Sequence, residues 1–494
     1  MSTRNKTASS TEENRQVGLK SSIERETKLS VDSRFRLPEL PGRPLHPRVL
    51  TSTYYDARDF RLANALITLR RRVERGTSLW QLKLPSEDGR RELEIAGGPK
   101  AVPSALRGLL VAHLRGDELA PVATLRTRRT GARVRGSSGP VADVVLDTVS
   151  VLHNRRVASR FRELEIERLN GDDAVVEHLE GTLRAAGAGD HDGRPKLFRA
   201  LGLPASPYIV PTAEAPIAEH LSVMLGRQVT SLLAHDPGTR LGGEIEDLHQ
   251  MRVATRRLRT VLRVAGPLLD PEWTEPLRAE LAWLGELLGP ARDLDVQMVY
   301  FREEAATMKS RDRRPLERFI EHLRREREAA QQSLVTELES PRYMELVATL
   351  LRAASQPPVV ASDSTLIDIA TRQFKKLQRS INRLGPSPTH AEIHRVRIRT
   401  KRARYAAELA QSTIGKPATR FLEQAKAFQD LLGIHQDAVL AEQHIRGLVA
   451  RTQGVHTAFV AGQMVERQRQ RRDAARAALS SEWEKLKKLG KKAF

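Results

Sequence analysis

The sequence predicts an α+β multi-domain protein: an N-terminal eight-stranded antiparallel barrel with flanking helices, then an all-α domain of two duplicated helical bundles. Three observations predict it. Between Ser22 and about Arg168 apolar residues recur with period two, with turn residues between the runs. From residue 217 onward the apolar period changes to three and four. A cationic motif in that second region occurs twice, 145 residues apart, a spacing too long for a solenoid unit and right for a duplicated bundle.

Residues 1–20 are polar, carry no apolar stretch of the signal-peptide kind, and are expected to form a disordered tail. A barrel domain follows over 21–203. Its strands are expected at Ile23–Leu29, Thr51–Tyr55, Leu66–Val73, Ser78–Leu84, Arg90–Ile95, Val122–Thr130, Val141–Val151 and Phe161–Leu169. Eight strands with short turns suit a closed antiparallel barrel, since closure removes the sheet edges. Helices are expected near Pro103–Leu114 and Asp173–Ala186. The proline-rich segment Leu203–Pro216 has no helical period and reads as a linker, assigned to 204–216. Residues 217–490 read as all-helical, closing on a basic helix and a Lys-rich end.

Composition limits the chemistry. The chain has 494 residues and no cysteine, so disulfides, Cys-ligated zinc, iron–sulfur clusters and thiol nucleophiles are excluded. No apolar run approaches the roughly 20 residues of a membrane span. A cytoplasmic protein without a membrane partner is the expectation. There are 82 basic and 61 acidic residues, a formal net charge of +21 spread over both halves. Such basicity predicts an anionic partner. The 4% aromatic content argues against a binder of single strands, which stack bases on aromatic rings. P-loop, HExxH, EF-hand and GxSxG motifs are absent.

The strands carry charges where an apolar interior is expected. Glu24, Glu26 and Lys28 fall at i, i+2 and i+4, so on a strand they share a face. Arg70 and Arg72 do the same, as do Glu92 and Glu94, and Glu163, Glu165 and Glu167, with Lys83 on a strand between them. A solvated strand face explains any single pair. The whole set implies a polar lumen, with the apolar alternates (Ile23, Leu69, Leu82, Leu84, Leu93, Ile95, Leu164, Ile166) packing outward against helices. Hard divalent cations take carboxylate oxygens and phosphoryl groups take Arg and Lys, so mixed signs suit a metal–polyphosphate complex.

Glu24-x-Glu26-x-Lys28, Thr53-Tyr54-Tyr55-Asp56, Leu69-Arg70-Arg71-Arg72, Trp80-Gln-Leu-Lys83, Arg91-Glu92-x-Glu94, Asp147, Glu163-x-Glu165-x-Glu167 and Pro195-Lys196-x-x-Arg199 occur in that order. Over residues 22–202 this series resembles the CYTH family, the triphosphate tunnel metalloenzymes. The resemblance implies an eight-stranded tunnel that binds or hydrolyses triphosphates with Mg²⁺ or Mn²⁺. It implies Glu24, Glu26, Lys28 and Glu92 as the catalytic group, and Glu24, Glu26, Asp147, Glu163 and Glu165 as metal ligands. Lys28, Arg70, Arg72, Lys83, Lys196 and Arg199 are implied as phosphate grips, together with one of the adjacent pair Arg128 and Arg129. Arg128 is the one assigned. One departure is Ala65-Leu66, where many relatives have a glycine-containing turn.

The helical region carries His249, Arg252, Arg256, Arg259 and Arg263 at spacings of 3, 4, 3 and 4, one face of a helix. His394, Arg397, Lys401 and Arg404 repeat the stripe. Like charges at i, i+4 are locally unfavourable unless an anion neutralises them. Leu287-Leu288-Gly289 before Asp293 and Leu431-Leu432-Gly433 before Asp437 repeat alongside. Over about 214–490 these paired motifs resemble the CHAD domain, the conserved histidine α-helical domain. That resemblance implies inorganic polyphosphate on His249, Arg252, Arg256, Arg259, His394, Arg397, Lys401 and Arg404. Metal chelation by the histidines ranks below phosphate binding, because their neighbours are arginines.

The joint expectation is a polyphosphate-associated, metal-dependent triphosphatase, cytoplasmic and located at polyphosphate granules. The alternatives are a non-catalytic granule-binding protein, a nucleic-acid binder without a recognisable groove-reading module, and an adenylyl cyclase.

Overall fold

The computed structural model describes residues 12–14, 18–86, 89–98, 101–136, 139–170, 173–191, 193–203, 210–451 and 454–494. These fall into two compact units, one holding the residues up to 203 with Leu233–Leu241, the other the remaining described residues.

The first unit is built on one antiparallel sheet. Its strands are β1 (Glu12–Asn14), β2 (Leu19–Glu24), β3 (Glu26–Ser30), β4 (Gly42–Asp56), β5 (Thr68–Glu74), β6 (Thr77–Ser86), β7 (Gly89–Ala96), β8 (Ala120–Gly136), β9 (Gly139–His153), β10 (Arg156–Arg168) and β11 (Gly189–Asp190). The order is β1-β2-β7-β6-β5-β4-β8-β9-β10-β3-β11. This corrects the expected eight-stranded closed barrel. Among the described residues the sheet has eleven strands and no ladder joins β1 to β11. The reason lies at Arg25. The expected first strand is cut there into β2, which pairs with β7, and β3, which pairs with β10. The short β1 and β11 then extend the two sides. The tail expected to be disordered therefore contains β1, while residues 1–11 and 15–17 lie outside the described residues.

Period-two patterning sorts the sheet's faces. Leu69, Trp80, Leu82, Leu84 and Leu93 point to one side and form a cluster with Leu106, Leu109, Leu110 and Leu114 of α2 (Ser104–Gly108), α3 (Val111–Leu114) and the turn between them. Leu29, Val144, Leu146, Leu164 and Ile166 pack with Leu179 and Leu183 of α4 (Asp173–Ala185). Each such leucine contributes about 1.5–3 kcal/mol by leaving water. Ile23 is the exception among the expected outward residues, at 38% exposure. Gly131 permits the close approach of β8 to β9, since a Cβ there would sit 2.2 Å from the Val144 carbonyl oxygen.

The short helix α1 (Arg61–Asn64) ends in a Schellman-type cap. Leu66 N–H donates to Ala63 and Ile67 N–H to Leu62. The cap puts Leu66 at φ 60°, a left-handed conformation that suits glycine. This is the position flagged in the sequence as lacking its glycine. The last helix of the unit is α5 (Lys196–Leu201).

The second unit is helical: α6 (Ile217–Leu241), α7 (Ile245–Val264), α8 (Pro271–Leu287), α9 (Gly289–Ala306), α10 (Ser310–Leu338), α11 (Pro341–Ser355), α12 (Leu366–Asn382), α13 (His390–Leu409), α14 (Gln411–Ile414), α15 (Lys416–Arg451) and α16 (Val455–Ala493), with the end of α6 counted in the first unit. Capping boxes Thr365/Asp368 and Thr389/Glu392 start α12 and α13, each worth about 1 kcal/mol. Two apolar clusters share α15 and α16: one with α12 and α13 around Phe374, Phe421 and Trp483, one with α9 and α10 around Phe301 and Phe319. The duplicated Leu-Leu-Gly segments differ locally. Pro290 at the second position of α9 separates that helix from α8, whereas Ile434 lets α15 run through unbroken.

Candidate functional site

A polar cavity of about 260 Å³ lies inside the sheet of the first unit. Alternation puts there Glu24 (β2), Glu26 and Lys28 (β3), Arg48 and Tyr54 (β4), Arg70 and Arg72 (β5), Gln81 and Lys83 (β6), Arg90, Glu92 and Glu94 (β7), Arg129 (β8), Asp147 (β9), Glu165 and Glu167 (β10), and Lys196 (α5). Eight of the lining residues are Lys or Arg and seven are Asp or Glu. The wall is thus nearly charge-balanced, and its members neutralise one another.

The deepest part is a lattice of ion pairs. Glu165, 2% exposed, accepts from Lys196 at 2.6 Å and from Arg129 at 2.7 Å, with Lys28 at 3.4 Å. Asp147, 1% exposed, takes a two-pronged bond from Arg129 at 2.8 and 2.7 Å and lies 3.1 Å from Lys196. Arg129 also reaches Glu167. Burial opposes ionisation of Glu165, but Lys196, Lys28 and Arg129 outweigh it and hold the carboxyl well below its ordinary range. Burial likewise opposes the charge on Lys28, and Glu165, Glu26 and Glu163 overcome it, so the ammonium is held above its usual value. For Glu167 burial wins over Arg129, and its carboxyl is pushed up. Nearer β6, Lys83 bonds Glu24 and lies 3.6 Å from Glu92. Gln81 donates to Glu92 at 2.7 Å and to Glu94 at 2.6 Å, and accepts from Arg70 at 2.8 Å.

Three expected site residues are placed differently. Arg128 is exposed on the opposite face, and Arg129 takes the inner position, because Leu125, Thr127 and Arg129 share the cavity side. Arg199 lies outside the cavity lining: it is exposed, sits over the Phe161 ring at 4.3 Å and donates to the Arg162 carbonyl. Glu163 is fully buried but is not part of the cavity wall. It braces Lys28 at 3.3 Å and Lys196 at 3.7 Å, and burial pushes its carboxyl up. Arg48, Gln81 and Arg90 line the cavity without having been singled out. Arg48 shares parity with Ser52 and Tyr54, and Arg90 with Glu92, so the signal was present.

The expected Mg²⁺ or Mn²⁺ ligands other than Glu163 fit by chemistry, being carboxylates around one cavity. They are not preassembled. Among the described residues no group of three or more His, Asp or Glu converges as a metal-holding set, and the candidates Asp147, Glu165, Glu24 and Glu26 are each engaged by Lys or Arg.

In the helical unit α7 packs against α13, and their stripes meet. Burial, Arg397 and Arg252 all act to lower Arg256. Burial, then Arg256, Arg397 and Arg404, bring the Lys401 ammonium down to about 7. The aspartates of the repeated segments supply part of the counter-charge. Arg252 donates to Asp293 at 2.8 Å, and Asp437, raised by burial, is drawn the other way by Arg397, Arg471 and Lys401. Arg404 is held by Glu408 and Gln429. Arg259 is exposed. His249 is half-buried and lowered by burial and Arg292; His394 contacts Gln436 through Nδ1 at 2.9 Å.

Comparison with known families matches the CYTH domain over residues 22–187 and the CHAD domain over residues 223–446. The chain is a protein in which a CYTH domain is followed by a CHAD domain. CYTH domains include triphosphatases and cyclases, bind triphosphates and generally depend on a divalent metal. Protein Rv2226 of Mycobacterium tuberculosis is 28% identical over 475 residues, spanning 90% of this chain and 91% of that protein. Among solved structures, PptA from Streptomyces chartreusis is 23% identical, covering 55% of this chain and 100% of its own, with a TM-score of 0.47. The CHAD domain from the plant Ricinus communis is 27% identical, covering 55% and 94%, with a TM-score of 0.45. No helix among the described residues is long and apolar enough to cross a membrane.

Proposed function

We propose that the chain is a metal-dependent triphosphatase whose cavity acts on inorganic triphosphate or a related triphosphate, and whose helical unit binds inorganic polyphosphate. The observation that carries the reading is the near-balance of eight cations and seven carboxylates around one cavity. A bare polyanion suits a wall of cations alone. A wall of both signs suits a ligand of both signs, a phosphate chain carrying its divalent counter-ions.

Entry then exchanges partners. Lys28, Arg70, Arg72, Lys83, Arg129 and Lys196 turn from carboxylates to phosphate oxygens. Glu24, Glu26, Asp147 and Glu165 are thereby freed to hold Mg²⁺ or Mn²⁺, which supplies charge stabilisation at the scissile linkage. Glu92, which accepts a hydrogen bond from Gln81, takes the role of orienting an attacking water on this reading. The cations keep the chain in line and neutralise charge that develops on the leaving phosphate.

In the helical unit the converging stripes of α7 and α13 hold a phosphate chain as a multivalent anion. The covalent connection raises the local concentration of chain ends near the first unit. The test is phosphate release from tripolyphosphate with Mg²⁺ or Mn²⁺. Binding without turnover is the second reading, favoured by the engagement of every candidate metal ligand on the cavity wall by a cation. Ligand binding without phosphate release under either metal selects it.

A further inference from the structure

A second cationic groove, of about 600 Å³, lies between α12 and α13 on a different face from the stripe described above. Lys376 and Arg379 line it from α12 and Arg383 from that helix's C-cap, and Arg395, Arg399 and Arg402 from α13. Both sets follow the spacing of one helical face, so the groove presents two facing rows of positive charge. We infer that this groove is a second binding site for a linear phosphate chain; the inference rests on the polyphosphate reading of the helical unit.

The charges crowd without compensation. Glu392 is the single carboxylate in the lining, 3.9 Å from Arg395, and its principal bonds go to Thr389. Lys376, Arg379, Arg383, Arg399 and Arg402 have no ion-pair partner among the described residues. Burial and the neighbouring Arg263, Arg399 and Arg278 bring the Arg402 guanidinium down to about 10. Lys376 is lowered by burial, Arg399, Arg372 and Arg402. Other exposed helical cations are treated differently: Arg324 bonds Glu321 and Glu328, Lys485 bonds Glu482, and Lys487 bonds Glu484. Rows of like charge spaced at i, i+3 and i+4 destabilise their helices unless an anion lies over them.

The duplicated motif accounts for only one of the α13 cations in the groove, Arg402. The α7 positions 145 residues before Arg395 and Arg399 hold Gln250 and Ala254. Arg395 and Arg399 therefore belong to the second copy alone, whereas Arg402 has a counterpart in Arg257. The lining contains no aromatic ring, which disfavours single-stranded nucleic acid, since bases need a stacking platform. Neighbouring helices pack about 8–10 Å apart, too close to admit a duplex between them. A bare phosphate chain, narrow and evenly charged, fits the two rows.

The experiment measures binding of long-chain polyphosphate and of a short oligophosphate to the full chain across a salt series. Arg379→Gln/Arg399→Gln is expected to weaken long-chain binding about tenfold and to lower the salt slope by about two, leaving the short oligophosphate unaffected in the α7–α13 cleft. Its melting temperature without anion should equal or exceed the parent's, which excludes misfolding as the cause. Arg379→Lys/Arg399→Lys, which keeps the charge, should retain long-chain affinity. Unchanged long-chain affinity and slope in the Gln variant, or loss in the Lys variant, overturns the inference. Equal displacement of the chain by single-stranded DNA of matched charge overturns it in favour of nucleic acid. If Arg256→Gln/Lys401→Gln keeps full affinity for the short oligophosphate, the cleft reading fails while the groove stands. If the parent binds neither chain, both fail.

Discussion

Lys196 Nζ donates to Glu165 Oε1 at 2.6 Å, with both side chains largely withdrawn from water. The pair joins α5 to β10 at the end of the cavity, and its strength depends on neither charge being left alone. Lys196→Met leaves Glu165 with Arg129 and Lys28 only. Removing one partner of a buried ion pair costs about 3–5 kcal/mol, and the two remaining cations place the expected loss at the lower end. Urea denaturation checks this.

Arg129 and Arg128 are adjacent, and the structure separates their roles by face. Arg129→Ala is expected to weaken tripolyphosphate binding by at least tenfold, about 1.4 kcal/mol. Arg128→Ala should change it less than twofold. Titration calorimetry with tripolyphosphate and Mg²⁺ compares the two.

Leu66 occupies the left-handed position of the α1 cap. That conformation costs a residue with a Cβ roughly 1–2 kcal/mol, partly offset in glycine by greater unfolded-chain entropy. Leu66→Gly is expected to raise stability by about 0.5 kcal/mol. The Leu66 carbonyl would still accept from Arg90, so activity should not change. Thermal unfolding and phosphate release test both halves.

Lys401 makes the helical unit's behaviour pH-dependent. Its folded value is about 7, against 10.5 for an ordinary lysine. Between those values the unfolded chain binds a proton that the folded chain does not. Stability from this group therefore rises with pH from about 7 toward 10.5 and is flat below 7. A bound phosphate chain restores the charge, so binding at pH 8 should take up a proton and Lys401→Arg should abolish the uptake. Calorimetry in buffers of different ionisation enthalpy reads it directly.

The strand parity of charged residues was legible, and with it much of the cavity wall: Glu24, Glu26, Lys28, Arg70, Arg72, Lys83, Glu92 and Glu165 face one space, and Asp147 and Lys196, which came from the family resemblance, face it too. The register of Arg128 against Arg129 was left open at β8, where Leu125, an apolar residue, lies on the cavity side and joins Tyr54, Leu197 and Phe198 in a small cluster. Arg48 was missed because the expected strand began at Thr51, whereas β4 begins at Gly42 and Arg48 continues the parity of Ser52 and Tyr54. Arg199 was assigned with Lys196 from the family resemblance, but α5 is only six residues long and Arg199 turns to Phe161. The break at Arg25 had no composition signal, since each half keeps its own period and only the pairing partner changes. The meeting of the two helical stripes depends on α7 packing against α13, a long-range contact that no local pattern encodes.

On the proposed reading the charge-balanced cavity takes up a metal–triphosphate and cleaves it. The most direct measurement is phosphate release from tripolyphosphate, with Mg²⁺ and with Mn²⁺, by the full chain and by Glu26→Gln and Lys28→Met variants. Metal-dependent release by the parent is expected, with a loss of at least a hundredfold in each variant, about 2.7 kcal/mol of transition-state stabilisation. Release that persists unchanged in both variants, or no release by the parent with either metal, would contradict it.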